Sequence, residues 1–240
     1  MLELKPERFD LRDYHDQRVT VSGRALVADQ SGALYWPSED ALIIADMHLE
    51  KGSHYARKGQ MLPPYDTRAT LLALARAIDK YEPDSVIALG DSFHDDEGPS
   101  RMVQEDREIL AIMQSECDWT WVTGNHDPVL PETIGGVVVN ELVIGGLTLR
   151  HEPTTGPVTH EIAGHLHPAA KVSFYGHTLR RPCFVGNGRR MILPAFGAYT
   201  GGLNVLDDAF EPLFGNDGFN IYLMGHEGLY PVATRLLRED

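Results

Sequence analysis

Ala41-Leu42-Ile43-Ile44-Ala45-Asp46-Met47-His48 is an apolar run of strand length that stops at two side chains able to bind metal. The pattern recurs twice. Ser85-Val86-Ile87-Ala88-Leu89 runs into Gly90-Asp91-Ser92-Phe93-His94, and Trp119-Thr120-Trp121-Val122 runs toward Gly124-Asn125-His126-Asp127. Short apolar runs bounded by glycine or polar residues read as buried strands. Between the first two runs, Leu71, Leu74, Ala75 and Ile78 recur at helical spacing, which predicts a helix over 66–80 with Asp66 as its N-cap. A second helix is expected over 99–115.

Outward from this strand–helix–strand–helix–strand unit the texture is β-rich. Upstream, 18–21 and 25–28 look like strands, Ser31-Gly32 marks a turn, and the run 33–36 is closed by Pro37. Downstream of Gly136, short runs at 137–140, 142–144 and 147–150 are punctuated by Gly145-Gly146. His151 ends one of them, and Gly164-His165-Leu166-His167 follows Ile162-Ala163. The expected fold class is α/β (α+β), with two sheets packed face to face and helices outside. It is read as one domain over 1–240 with its core at about 20–207. All five polar segments lie at or just past strand ends, the edge where ligands gather in open α/β sheets.

Composition sets the outer limits. A chain of 240 residues with 42% hydrophobic and 23% charged residues is ordinary for a soluble globular protein. The longest apolar stretches are about a strand long, which excludes a hydrophobic membrane helix, and the opening Met1-Leu2-Glu3-Leu4-Lys5 lacks an apolar signal region. Two cysteines, Cys117 and Cys183, stand far apart in unlike contexts, so no disulfide framework is expected and a cytoplasmic location fits. Cys183, beside Pro182 and Phe184, reads as core. The net charge of −14 argues against a broadly basic nucleic-acid surface, although Arg57-Lys58, Arg180-Arg181 and Arg189-Arg190 are local basic pairs.

Asp, Asn and His side chains in five segments could serve two adjacent divalent ions, which together clamp a phosphate ester and activate a water for in-line attack. Strand alternation would place the two side chains of Asp46-Met47-His48, and of His165-Leu166-His167, on one side. A D-x-H word alone is common, and surface or cap residues would explain it. Five such segments in fixed order, each at a strand end, make coincidence a poor account. Mixed nitrogen and oxygen donors suit manganese, with iron or zinc as alternatives, better than calcium. Asn125 is a reasonable ligand, which leaves His126 free for general acid work.

These segments, in this order, resemble the calcineurin-like metallophosphoesterase superfamily. The resemblance implies the two-sheet αββα sandwich of that type. It implies one metal held by Asp46, His48, Asp91 and His167 and a second held by Asp91, Asn125, His151 and His165, with Asp91 bridging. It makes His126 the catalytic histidine, oriented by Asp127. Flanking words narrow the likeness: Asp46-Met47-His48-Leu49-Glu50-Lys51-Gly52, Leu62-Pro63-Pro64-Tyr65-Asp66-Thr67, Gly90-Asp91-Ser92-Phe93-His94-Asp95, Gly164-His165-Leu166-His167-Pro168 and the run from Leu193 to Gly202. They are similar to the DNA ligase-associated metallophosphoesterases of bacteria. Asp91-Ser92-Phe93-His94 resembles the matching word of Mre11 repair nucleases, which makes His94 a second catalytic candidate. Its alternative is a loop histidine bonded to Asp95 or Asp96. A large capping domain of the Mre11 kind is not evident in the sequence.

The resemblance implies a phosphodiesterase or nuclease acting in DNA repair beside an ATP-dependent DNA ligase, a helicase and an exonuclease; the net charge of −14 turns the expected DNA substrate toward single strands or ends, and no membrane partner is expected. The alternatives are a phosphodiesterase for cyclic or dinucleoside phosphates and a scaffold without catalysis. His54, Arg57 and Lys58 are placed either to line the substrate path or to lie on the surface. Phe196 and Tyr199 are read as packing residues rather than base-stacking ones. His15, His160, His177 and His226 match no motif and are read as structural or surface.

Overall fold

A computed structural model describes residues 16–158, 160–174 and 177–240. Met1 to Lys5 and His15 lie outside these.

The first sheet has seven strands in sequence order: β1 (Gln17–Val21), β2 (Arg24–Ala28), β3 (Leu34–Trp36), β4 (Ala41–Ile44), β5 (Ser85–Leu89), β6 (Asp118–Val122) and β7 (Val137–Val139). The first four pair antiparallel, while β4 through β7 pair parallel, so their carboxyl ends share one edge. Among the described residues five α-helices accompany the sheets: α1 (Lys51–Arg57), α2 (Asp66–Tyr81), α3 (Gly98–Arg101), α4 (Gln104–Glu116) and α5 (Glu211–Phe214). The second sheet contains β8 (Glu141–Ile144), β9 (Leu147–Arg150), β10 (Glu161–Ala163), β11 (Pro168–Phe174), β12 (His177–Gly186), β13 (Arg190–Ile192) and β14 (Leu203–Asn204). Its path runs β14-β11-β12-β13-β10-β9-β8, and β15 (Asn220–Met224), β16 (Leu229–Val232) and β17 (Leu237–Arg238) join from the side. The sheet therefore continues past the expected core limit near 207, and Leu223, Leu229 and Leu237 are buried in it.

Strand alternation sorts the apolar side chains into layers. Leu42, Ile44, Val86 and Ala88 face outward and pack against Leu71 and Leu74 of α2 and Leu110 and Met113 of α4. Ile43, Ile87 and Leu89 face inward against Leu147, Leu149, Ile162 and Phe184 of the second sheet. A third layer covers the far side of that sheet with Phe210, Leu213 and Phe214. The result is the two-sheet sandwich expected, although its second outer layer carries only short helical turns. Two expected helical features differ. The helix over 99–115 is split at Met102 and Val103, both extended in ψ. Asp66 does not cap α2: Tyr65 holds the N-cap position without a side-chain bond, and Asp66 instead accepts the Gly52 N–H of α1 at 2.9 Å.

Candidate metal centre

Each polar segment leaves the carboxyl end of a strand at the shared edge: Asp46 after β4, Asp91 after β5, Asn125 and His126 after β6, His151 after β9, and His165 and His167 after β10. The strands therefore aim three loops of the first sheet and two of the second at one volume.

Local backbone does the rest, and not in the way alternation predicts. Asp46 (φ 54°), His48 (45°), Asp91 (45°), His165 (70°) and His167 (45°) all lie in the left-handed region. Such conformations cost about 1–3 kcal/mol each for residues with a side chain and persist only where surroundings impose them. For the loops after β4 and β5 a ladder accompanies them, with His48 N–H to Asp91 C=O at 2.8 Å and Leu49 N–H to Ser92 C=O at 2.9 Å. Close approach explains two glycines. A Cβ on Gly124 would sit 2.2 Å from the Asp91 amide and carboxylate, and one on Gly90, at φ 71°, 2.5 Å from the His151 ring.

Among the described residues the donor atoms converge in three sets: His48, His94 and His126 toward the mouth, and two deeper sets that share Asp91. In the deeper two, Asp46, His48, Asp91 and His167 present one ligand atom each within 4.8 Å of one another, as do Asp91, His151 and His165. Asn125 Oδ1 lies 3.0 Å from His151 Nε2 and joins the second of these deeper sets. Ligands about 2.1 Å from a first-row metal stand roughly 3.0–3.4 Å apart across its coordination shell. Matching separations occur here: His48 Nε2 to His167 Nε2 3.2 Å, His151 Nε2 to His165 Nδ1 3.1 Å, His167 Nε2 to Asp46 Oδ1 3.3 Å and His151 Nε2 to Asp91 Oδ1 3.4 Å. Imidazole nitrogens and carboxylate oxygens crowd together at ligand spacing, an arrangement that a cation would stabilise. The donor set fits divalent metal.

Two of the histidines are shifted toward the neutral form that a ligand needs. Burial, reinforced by His167, His126 and His94, pushes the His48 imidazole down to about 2, so its ring is neutral. Burial, with His151 beside it, also lowers His165. His167 differs, because its bond to Asp46 and the nearby Asp91 outweigh burial and raise it. The Leu89 carbonyl accepts from His151 Nδ1 at 3.0 Å, which turns Nε2 inward.

His126 stands at the mouth with 40% of its side chain accessible. Its Nδ1 donates to the His94 carbonyl at 2.8 Å, so Nε2 faces the centre, 4.0 Å from Asp91 Oδ2. The orienting group is thus the His94 carbonyl rather than Asp127. Asp127 is fully buried and accepts the backbone N–H groups of Asp91 (3.0 Å), Phe93 (3.1 Å) and Gly124 (2.9 Å), fastening the β5 and β6 loops together. Burial lifts its carboxyl to about 6.

The His94 ring stacks on His126 with centroids 5.2 Å apart, and its Nδ1 is buried without a partner. Asp95, expected as its alternative partner, binds His54 and Arg101 instead. Burial, then His54, His126 and Lys51, lowers His94 to about 4. Of the expected substrate contacts, His54 lies edge-on to His94 at 4.6 Å but is held by Asp95. Arg57 is exposed and paired with Glu97, and Lys58 is exposed at the end of α1. Phe196 packs in the outer core, while the Tyr199 carbonyl accepts from Lys51 Nζ at 3.0 Å. His160, His177 and His226 are exposed and Cys183 is buried.

Sequence reasoning missed the bracket behind the first loop. Buried Glu50 accepts from the Thr67 hydroxyl at 2.9 Å, and Thr67 Oγ1 accepts the Glu50 N–H at 2.9 Å. Together with the Asp66–Gly52 bond, this explains why the words around Glu50-Lys51-Gly52 and Asp66-Thr67 occur together.

The sequence model of the calcineurin-like phosphoesterases matches residues 41–230, and the chain belongs to that family. It is thus a metallophosphoesterase, a hydrolase acting on phosphoester bonds in a family that uses divalent metals. Among solved structures it is similar to Pseudomonas putida nuclease MPE, with 30% identity over 90% of this chain and 100% of that one and a TM-score of 0.71. It also matches Yfce, a phosphoesterase from E. coli, at 13% identity over 80% and 98% of the two chains, with a TM-score of 0.38. No curated protein matches. No helix among the described residues is long and apolar enough to cross a membrane.

Proposed function

We propose that this chain works as a single domain over 1–240 and is a two-metal phosphodiesterase that cuts nucleic-acid backbones. Asp46, His48, Asp91 and His167 would hold one ion, and Asp91, Asn125, His151 and His165 the other. The observation that carries this reading is the place of Asp91 in both deeper donor sets. A divalent pair bound there would polarise the phosphate and activate a water. The nitrogen and oxygen donors favour manganese, with iron and zinc next.

The protein's own groups account for the rest. With Nδ1 bound to the His94 carbonyl, His126 turns Nε2 to the mouth, where its protonated form donates to the leaving alkoxide. His94, stacked on His126 and short of a partner at Nδ1, is placed to contact the phosphate from the α1 side. Asp127 positions both loops through three backbone amides. Asp46 and Asp91 are almost wholly buried, so the scissile phosphate must descend below the rim, which a single strand or an end does more readily than a straight duplex. A role in DNA repair, beside a ligase, helicase and exonuclease, rests on the flanking words, and the similarity to a protein described as a nuclease supports the substrate class.

The test is a panel assay with added manganese. Bis(p-nitrophenyl) phosphate should be hydrolysed faster than p-nitrophenyl phosphate, and single-stranded DNA should be cut faster than duplex. Rapid hydrolysis of a cyclic or dinucleoside phosphate with no action on DNA would replace this reading with the small-nucleotide one, which the net charge of −14 favours.

A further inference from the structure

The β11–β12 hairpin stands above the metal edge, and strand register shows why. Ala163, the last residue of β10 before Gly164 and His165, is level with Ile192, and Ile192 is level with Val185 of β12. Because β12 runs antiparallel to β13, its residues before Val185 extend beyond that edge on the metal side. Strand β11 starts one residue after His167 and accompanies them, with Ala169 opposite Pro182 and Lys171 opposite Arg180.

Two faces of this hairpin are distinguishable. Cys183, Val185 and Ala170 belong to the outer core layer, and Phe184 belongs to the layer between the sheets. By alternation, Arg180 and Pro182 share the inner side with Phe184, and Lys171 and Ala169 share it from β11. The third strand agrees: Leu237 of β17 is opposite Val172 and lies in the outer layer, so Arg238, opposite Lys171, is on the inner side.

Arg238, Lys171 and Arg180 thus form one row across three adjacent strands, about 4.8 Å apart per rung, on the side that overlooks the metal centre. Like charges directly opposite one another destabilise a sheet. In a chain with a net charge of −14, three such cations side by side are not explained by composition. Asp240 pairs with Arg180 at 3.0 Å and also interacts with Lys171, while Arg238 Nη1 donates to the Arg235 and Leu237 carbonyls, so one carboxylate serves three cations. Arg180 Nη2 also donates to the Gly202 carbonyl at 2.5 Å, and the next residue, Leu203, donates its N–H to His167 C=O at 3.0 Å. The row is therefore fastened to the segment between β13 and β14, which itself bonds to the backbone of a metal-ligand candidate.

We propose that Lys171, Arg180 and Arg238 form a phosphate track that holds the nucleic-acid strand flanking the scissile bond as it enters the metal centre. This rests on the proposed nuclease activity. Asp240 offsets part of the repulsion within the row, a polyanion would offset the rest, and a flexible strand can follow the hairpin wall down to buried Asp46 and Asp91. A small diester has no flanking phosphates and gains little from the track.

The test compares the parent with Lys171→Gln/Arg180→Gln/Arg238→Gln and with a control of equal charge change elsewhere, Arg18→Gln/Arg76→Gln/Arg107→Gln, all exposed positions. For the track variant, kcat/KM on a single-stranded oligonucleotide should fall at least about tenfold more than on bis(p-nitrophenyl) phosphate, because removing such charges slows capture of the strand. Its log–log salt slope for binding should become shallower by about 2, since three contacts contribute roughly 0.7 each. The control should keep the parent slope. Lys171→Gln/Arg238→Gln, which leaves the Arg180–Gly202 contact in place, should show about two thirds of the slope change. Equal losses on both substrates, or an unchanged slope in a parent that does cut DNA, would overturn the track and leave the nuclease reading standing. A parent that hydrolyses the small diester but binds no DNA at low salt would overturn that reading and the track with it.

Discussion

The two sheets make unlike contributions to the candidate metal centre. The first supplies the oxygen donors Asp46, Asp91 and Asn125 together with His48, and the second supplies histidines alone: His151, His165 and His167. Asp46 and Asp91 form a buried floor. His165 and His167 are half-buried at the wall from which the β11–β12 hairpin rises. Neither sheet carries a complete set, so the centre exists only while the layer between the sheets is intact. That layer is built from Ile43, Ile87 and Leu89 against Leu149, Ile162 and Phe184. On the proposed ligand assignment, metal binding and sheet docking would be one equilibrium.

The sharpest way to break that comparison is at the one residue both deeper sets use. Asp91→Asn should abolish hydrolysis of bis(p-nitrophenyl) phosphate in manganese, and measurable turnover near the parent rate would remove the shared-ligand account. Next in size is His126→Ala. Its loss should be about 10²–10⁴-fold on esters with poor leaving groups and smaller on a nitrophenyl ester, because nitrophenolate hardly needs a proton. Bound metal should be unchanged. An equal loss on both substrates would show that His126 is not the acid.

Truncations sharpen the contrast between layers. Phe184→Ala, between the sheets, should cost about 3–5 kcal/mol and also weaken manganese binding. Leu110→Ala, under α4 in the outer layer, should cost about 2–5 kcal/mol without weakening metal affinity. Urea unfolding read with and without manganese separates the two, since a ligand stabilises only the state that binds it. Similar metal dependence in both variants would show that the sheets are not coupled through the centre.

The smallest effect concerns Asp95 beside the site. Burial alone would raise its carboxyl, but Arg101 and His54 hold it down to about 2, below the usual value of about 3.9. A depressed carboxylate contributes stability above its unfolded value, and that contribution is lost as pH falls through the folded one. The advantage of the parent over Asp95→Asn should therefore be full at neutral pH and vanish between about pH 4 and pH 2. An advantage that does not change across that window would mean the ion pairs contribute nothing.

Much of the fold and the site was legible in the sequence for a simple reason. An apolar run that ends in a ligand-type residue states both where a strand stops and what stands at its edge, as Ala41 to Asp46 and Ser85 to Asp91 do. The floor of the site could be read from those words alone. What lay hidden depends on partners distant in sequence or on backbone shape. Nothing local tells that Asp46 and His48 converge through left-handed turns rather than strand alternation, or that Asp66 serves α1 instead of its own helix. Asp127 looks like a partner for the histidine beside it, yet its carboxylate is used by amides 34 and 36 residues away. The row of Lys171, Arg180 and Arg238 appears only once register is known, because the three residues are separated by 9 and 58 positions (180 − 171 and 238 − 180).

The central claim is a two-ion centre joined at Asp91, and counting metal tests it most directly. Equilibrium dialysis against manganese, followed by elemental analysis, should give about two ions per parent chain, with hydrolysis appearing only as the second fills. Asp91→Asn should hold fewer than the parent and stay inactive at any manganese concentration. One ion per chain at full activity, or an Asp91→Asn protein that still binds two, would contradict the account.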